Sequence, residues 1–495
     1  MKQNLVIPVS LLACSLLALI FIRISTGPEQ SRHSARHQLE GQFGPLITFL
    51  TEDDDSTITE ITLDAQGLTD RTTFELLGTL SNLRHLTIRH GTFTDNDLSP
   101  LHSLTKLQSL QLQSLHFSGS GLKYLTQAKG LDSLTLSNNP SWDNANAHLL
   151  TELPLLQEII FDYSPVDDVT LSKLKNHEKL RTIHLNNTQV SFIGLQELKK
   201  LKQLSHLAVS GCELGKNELN QLRELSTRQP LTLDLSQSTI TNKDLAFMET
   251  LDVRQLNLNS TVISDAGLEL IIQSKNCQQL DLGQTQCSAA ALAQTLPALP
   301  LESLSLQAMS LNAEVLQSIS NIETLTTLNL AESNLQDDWL PALNNCMALE
   351  HLILYRTNLS GEHLSKLAMP SGLSYLDLSH CPVTTWGIEN LQSLHALTSL
   401  QLIGVQLESE GFQKLAQLPI THLNLSSSSL NRSNLEQLSS MANLREIIVR
   451  NCDISYQDFE MFQTRNINCV IYWQAYGLDS AYAVPEAMKV MTPRR

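Results

Sequence analysis

The sequence predicts an α/β solenoid, a curved horseshoe of about 18 short parallel strands on the concave face with helices on the convex face. Three observations lead there. A short apolar pattern, LxxLxL, recurs through most of the chain. Its first positions fall at 58, 83, 107, 131, 156, 180, 204, 230, 253, 277, 301, 325, 349, 373, 397, 420, 444 and 467, so that 11 of the 17 intervals are 24 residues. Hydrophobic residues make up 42% of the chain and aromatic residues only 5%, as expected where one aliphatic residue type fills equivalent slots of a repetitive stack.

At the N-terminus, Leu5 to Ile22 runs 18 residues without a charge, between Lys2 and Arg23. That length spans a bilayer, whereas a globular helix would show a polar face. Residues 1–23 are therefore read as an uncleaved transmembrane signal anchor. Leu11-Leu12-Ala13-Cys14 resembles a bacterial lipoprotein box, which makes a lipid on Cys14 the second reading, but the apolar run continues eight residues past that cysteine. Single N-terminal anchors often export the domain behind them, which places the solenoid on the extracytoplasmic side, periplasmic or extracellular. Arg23, Arg32 and Arg36 after the segment do not enforce that orientation. Residues 24–37, with Gly27-Pro28, read as a flexible stalk. Residues 38–57 read as an N-terminal cap, with a helix through Pro45–Leu50 ahead of the acidic turn Glu52-Asp53-Asp54-Asp55.

The repeats occupy 58–473. Clear copies are Leu107-x-x-Leu110-x-Leu112, Leu301-x-x-Leu304-x-Leu306 and Leu373-x-x-Leu376-x-Leu378. The LxLx core is a short strand with alternate side chains pointing into the stack. The later Leu-x-x-Leu spacing puts side chains on one helical face. Thr94-x-x-Asp97, Thr241-x-x-Asp244 and Ser455-x-x-Asp458 approximate capping boxes at helix starts. Residues 474–495 form a C-terminal cap and tail.

On these motifs the chain resembles the leucine-rich-repeat superfamily. Thr261-x-Ile263-Ser264-Asp265-Ala266-Gly267-Leu268 and Gly194-Leu195-x-x-Leu198 look like its ribonuclease-inhibitor-like and F-box-associated branch, and like bacterial membrane-anchored repeat proteins. The ninth position is Thr, Ser or Cys more often than Asn (Thr188, Thr261, Thr357, Ser333, Cys381 and Cys452 among them). A short buried side chain there hydrogen-bonds loop backbone or fills space. The resemblance implies a non-enzymatic binding protein. Its rival, a substrate adaptor of a ubiquitin ligase, needs an F-box bundle that residues 24–57 are too short to supply. A structural envelope spacer is the other alternative.

Charge narrows the partners. The formal net charge is −17 and the sequence pI about 5.3, which opposes a phosphate backbone and favours a soluble monomer. Nucleotide-binding, nucleophile-elbow and zinc-protease motifs are absent from the sequence, and no catalytic residue, metal or cofactor is assigned. His184 and His206, with Glu158 and Asp162 one strand earlier, are the nearest approach to a metal-ligand set, but diagonal offsets disfavour a closed tetrahedral site. The cysteines at 212, 277, 287, 381 and 452 read as small buried side chains.

Binding is expected on the concave sheet, at the third, fifth and seventh positions of each unit. Of these 54 positions, Ser, Thr, Asn and Gln fill 27, Asp and Glu eight, and Arg only two, so the face is a wet protein or glycan surface. One region departs from that background. His351, Tyr355, Tyr375, Asp377 and His422 cluster there, with Arg356 and His380 at the adjacent eighth position. Tyr, His and Arg bury area while keeping polar tips, which suits an interface. A second candidate patch is Glu158, Asp162, Tyr163, His184 and His206. The expected partner is a protein or cell-envelope component, with Leu5–Ile22 in the membrane.

Overall fold

A computed structural model describes residues 28–52, 57–66, 71–214, 229–367, 372–475 and 489–491. The chain divides into two compact units, the first ending at Ala208 and the second beginning at Val209.

The first unit opens with helix α1 (Pro28–Phe43). Ala35, Leu39 and Phe43 are spaced by four and are all buried, which makes one apolar stripe. Strand β1 (Ile47–Glu52) comes next, antiparallel to β2 (Thr57–Asp64). This corrects two expectations: residues 28–37 are helical where a stalk is predicted, and Ile47–Glu52 is a strand where a capping helix is predicted. The run Ile47-Thr48-Phe49 alternates, with Ile47 buried, Thr48 exposed and Phe49 between, which is a strand period.

From β2 the ladder is parallel through β3 (His85–Arg89), β4 (Ser109–Gln113), β5 (Ser133–Thr135), β6 (Glu158–Ile160), β7 (Thr182–His184) and β8 (His206–Ala208). Ile61, Leu86, Leu110, Leu134, Ile159, Ile183 and Leu207 are Cα partners in one row, each at most 1% exposed.

The second unit repeats the plan. Its parallel strands are β9 (Leu231–Asp234), β10 (Val253–Asn257), β11 (Gln279–Asp281), β12 (Ser303–Ser305), β13 (Thr327–Asn329), β14 (His351–Ile353), β15 (Tyr375–Asp377), β16 (Ser399–Gln401), β17 (His422–Asn424), β18 (Glu446–Cys452) and β19 (Val470–Ala475), with β20 (Lys489–Met491) antiparallel to β19. The eighteen expected repeat strands, β2 to β19, are all present, and the fold is an α/β leucine-rich-repeat solenoid. The last strand slips by one residue from the expected register. Ile447 pairs with Ile471, not Val470, so Ile471 is buried where the repeat pattern has it facing solvent.

Between strands run short helices. Some are α, as Asp265–Ile271 and Ala313–Ile319; others are 3-10, as Asp95–Ser103 and Asp337–Asn345, each with an internal proline that removes a donor. The twelfth repeat position caps these helices. Asp167, Ser191, Ser288, Asn312, Thr384 and Asn431 each accept a helix N–H. The three expected capping boxes at Thr94, Thr241 and Ser455 are formed. Side chains at the twelfth position also staple neighbouring repeats. Ser191 donates to Asp168 at 2.6 Å, Ser288 to Asp265 at 2.8 Å and Ser360 to Asp337 at 2.9 Å. Ninth-position side chains satisfy the carbonyl of the sixth position, Thr261 on Leu258 at 2.7 Å and Cys452 on Leu425 of the preceding repeat at 3.1 Å.

Candidate functional site

The eighth position of each repeat decides how the open face ends. From His90 to Asn451, sixteen successive repeats place that residue in the left-handed region, with φ between 51° and 71°. Only Gly211 and Gly404 among them are glycine. The left-handed residue turns the chain off the strand while its N–H still reaches the next repeat: Glu332 donates to the Tyr355 carbonyl at 2.7 Å, Arg356 to Ser379 at 2.9 Å and His380 to Ile403 at 2.7 Å. Side chains at positions seven and eight thus gather along one rim of the sheet.

On that rim the Tyr355 and His380 rings meet edge to face, centroids 5.4 Å apart at 89°. The Arg356 guanidinium lies 5.1 Å from the Tyr355 ring centroid, and its Nη1 is 3.7 Å from Glu332 Oε1. Gly404 makes the room: a Cβ there would come within 2.5 Å of the His380 imidazole. At the opposite rim His351 and Tyr375 are Cα partners, with rings 5.8 Å apart. Between the two ring pairs lie Ile353 and Asp377, themselves Cα partners and both half-buried. Asp377 Oδ1 accepts the Ser379 N–H at 2.8 Å. Burial, and then the Asp377 charge, push the Tyr375 phenol above its ordinary range.

Six of the seven residues expected in this patch therefore stand together, on β14, β15 and the turns at their ends. His422 stands apart: Ser399 lies between it and Tyr375 across the sheet, and its Nδ1 is 2.9 Å from Thr421 Oγ1. Two contributors escape sequence reasoning. Glu332 sits at the eighth position one repeat earlier, a position that matters only once the left-handed turn is known. Ile353 lies at an expected outward position, but its apolar side chain gives no sign of a binding role.

The second patch does not assemble in the same way. Glu158 accepts Ser133 Oγ at 2.7 Å, Asp162 accepts the Asn186 N–H at 2.8 Å, and His206 Nδ1 lies 2.9 Å from Ser205 Oγ. Each bonds a neighbour outside the set, Thr182 separates Glu158 from His206, and Tyr163 is 63% exposed. Among the described residues no group of three His, Cys, Asp or Glu side chains could hold a metal ion. Seven cysteines are described, all buried and none in a disulfide. Burial pushes Cys277 up to about 12 and Cys346 to about 11, so these thiols stay protonated and pack.

The anchor segment Leu5–Ile22 and most of the C-terminal tail lie outside the described residues. Among the described residues no helix is long and apolar enough to cross a membrane.

No family model matches the chain, and no curated protein matches it. Solved structures do. An internalin from Listeria monocytogenes is 18% identical over 75% of this chain and 95% of its own, with a TM-score of 0.43. A leucine-rich-repeat protein of Leptospira interrogans is 21% identical over 77% of this chain and 95% of its own, with a TM-score of 0.40. The leucine-rich-repeat ectodomain of a plant membrane receptor kinase from Arabidopsis thaliana, solved in complex with CASPARIAN STRIP INTEGRITY FACTOR 2, is 17% identical over 86% of this chain and 57% of its own, with a TM-score of 0.40.

Proposed function

We propose that the chain is a non-enzymatic recognition scaffold that binds a protein or cell-envelope component on the open face of β14 and β15, held at a membrane by residues 5–22 with the repeats on the extracytoplasmic side. One observation carries the recognition reading. On a face otherwise rich in Ser, Thr, Asn and Gln, two aromatic–histidine pairs flank a half-buried strip at the same two repeats. Such rings bury area on contact at small entropic cost and keep polar tips for specificity.

The test is affinity capture from an envelope extract with the full chain immobilised, beside a variant carrying Tyr355→Ala, Arg356→Ala and Tyr375→Ala. A species held by the parent and lost by the folded variant supports the site. Equal capture by both moves recognition elsewhere. The tether is tested separately: removal of residues 1–23 releases the protein from the membrane fraction, and protease added to spheroplasts, with any outer membrane removed, degrades the full chain. Retention in the membrane pellet after the deletion rejects the anchor, and protection from protease rejects the orientation.

A further inference from the structure

Resting on that recognition reading, we infer that the strip between the two ring pairs takes a cationic side chain, a lysine or arginine of an extended partner segment, onto the Asp377 carboxylate. Positions three and seven of a strand lie at most about 13 Å apart, so the His351–Tyr375 and Tyr355–His380 pairs are walls about one extended chain apart. The floor is Ile353 and Asp377. Ile353 accepts an aliphatic stem. Asp377 has one oxygen on the Ser379 N–H and no ion pair among the described residues, so its charge is left for a ligand. A tyrosine ring face adds attraction for a cation and none for an anion, and Tyr375 stands two residues from Asp377 on the same strand. The Arg356 cation lies on the Tyr355 ring and pairs with Glu332, which offsets its charge. A net charge of −17 draws basic partners in.

The fifth repeat position supplies both the variant and its control. Asn257, Asn329 and Asn424 occupy it in other repeats and accept the same seventh-position N–H as Asp377 does, at 3.0, 3.0 and 3.1 Å. Asp377→Asn therefore keeps the backbone bond and removes only charge. Asp281, which accepts the Gly283 N–H at 2.9 Å between Asn257 and Ser305, carries the same charge without rings beside it. The experiment titrates the full chain with capped, fluorescent hexalysine near 0.15 M salt, with a Gly-Ser hexapeptide as comparator. We expect saturable hexalysine binding, weakened by about tenfold or more in Asp377→Asn, and unchanged within about twofold in Asp281→Asn. Equal loss in both variants, or binding of the Gly-Ser peptide as tight as hexalysine, overturns the inference, as does an absence of hexalysine binding to the parent. The envelope capture separates the two levels of failure. A captured partner lost by the triple variant but kept by Asp377→Asn leaves recognition standing and removes the cation. A partner kept by the triple variant removes the site itself.

Discussion

Ala308 holds φ at 55°, with no side-chain bond to offset a conformation that L-residues other than Asn and Asp rarely adopt. Its N–H still reaches the Ala331 carbonyl at 2.8 Å, so the turn is held by the ladder and not by the residue. Ala308→Gly should therefore raise stability by about 1 kcal/mol, read as a higher urea midpoint; a lower midpoint would mean that the left-handed turn carries no strain. Cys277 makes the complementary point about burial. Its thiol is held up at about 12 against an ordinary 9, so between those values the unfolded chain ionises while the folded one keeps its proton. The contribution is intact below pH 9 and is lost as pH rises toward 12. Between pH 8 and 10.5, Cys277→Ala should lose less stability than the parent; an identical decline in both would exclude the thiol. At this scale the buried leucines were legible because period and residue type agree. The left-handed turn was not, since Ala308, Tyr163 and Arg356 carry no composition signal for it.

Short helices are placed by their caps and by glycines that face the preceding repeat. Gly387 shows the second device. A Cβ there would strike the Ser360 carbonyl oxygen and lie 3.1 Å from the Gly361 Cα. Glycine to alanine in a helix ordinarily gains about 1 kcal/mol, but Gly387→Ala should lose about 1–3 kcal/mol through overpacking against backbone, measured by urea unfolding. A gain would show that the loop at Ser360 yields. The box at Ser455 shows the first device. Ser455 bonds hold Asp458 below the ordinary carboxylate range, with the Arg432 charge, 3.3 Å away, assisting. A lowered carboxylate contributes above its ordinary pKa near 4 and stops contributing as pH falls through the folded value. Ser455→Ala should cost about 1 kcal/mol at pH 7 and progressively less toward pH 2. A pH-independent cost would locate the loss in packing instead. All three capping boxes were legible because Ser or Thr and Asp stand three apart. The N-terminal strand is not legible in the apolar content of Pro45 to Leu50, only in the alternation within it. In the last repeat the pattern is weakest, and Cys469, Ile471 and Trp473 fitted the register one residue early.

For the molecule as a whole, the legible part was the repeat, and the placement of the patch residues on adjacent strands followed from that register. Six of seven patch residues came together because a 24-residue period puts equivalent side chains on adjacent strands. Glu332 escaped because its place depends on a turn that no periodicity describes. The longest expected interval, from 204 to 230, falls where the first unit ends at Ala208 and the second begins, so the irregularity in spacing had a structural counterpart. Within each unit every strand pairs only with its neighbours, so stability should be local and transmitted stepwise. Leu352 is fully buried in the row of β14 and pairs with Leu328 and Leu376. Leu352→Ala should cost about 2–5 kcal/mol, concentrated at β13 to β15. Hydrogen exchange in mild urea should show those strands losing protection first while β10, β11, β17 and β18 keep theirs. Simultaneous loss across the second unit would mean that its repeats unfold as one block, and that the ring-lined strip on β14 and β15 is held in shape by the entire unit and not by its immediate neighbours.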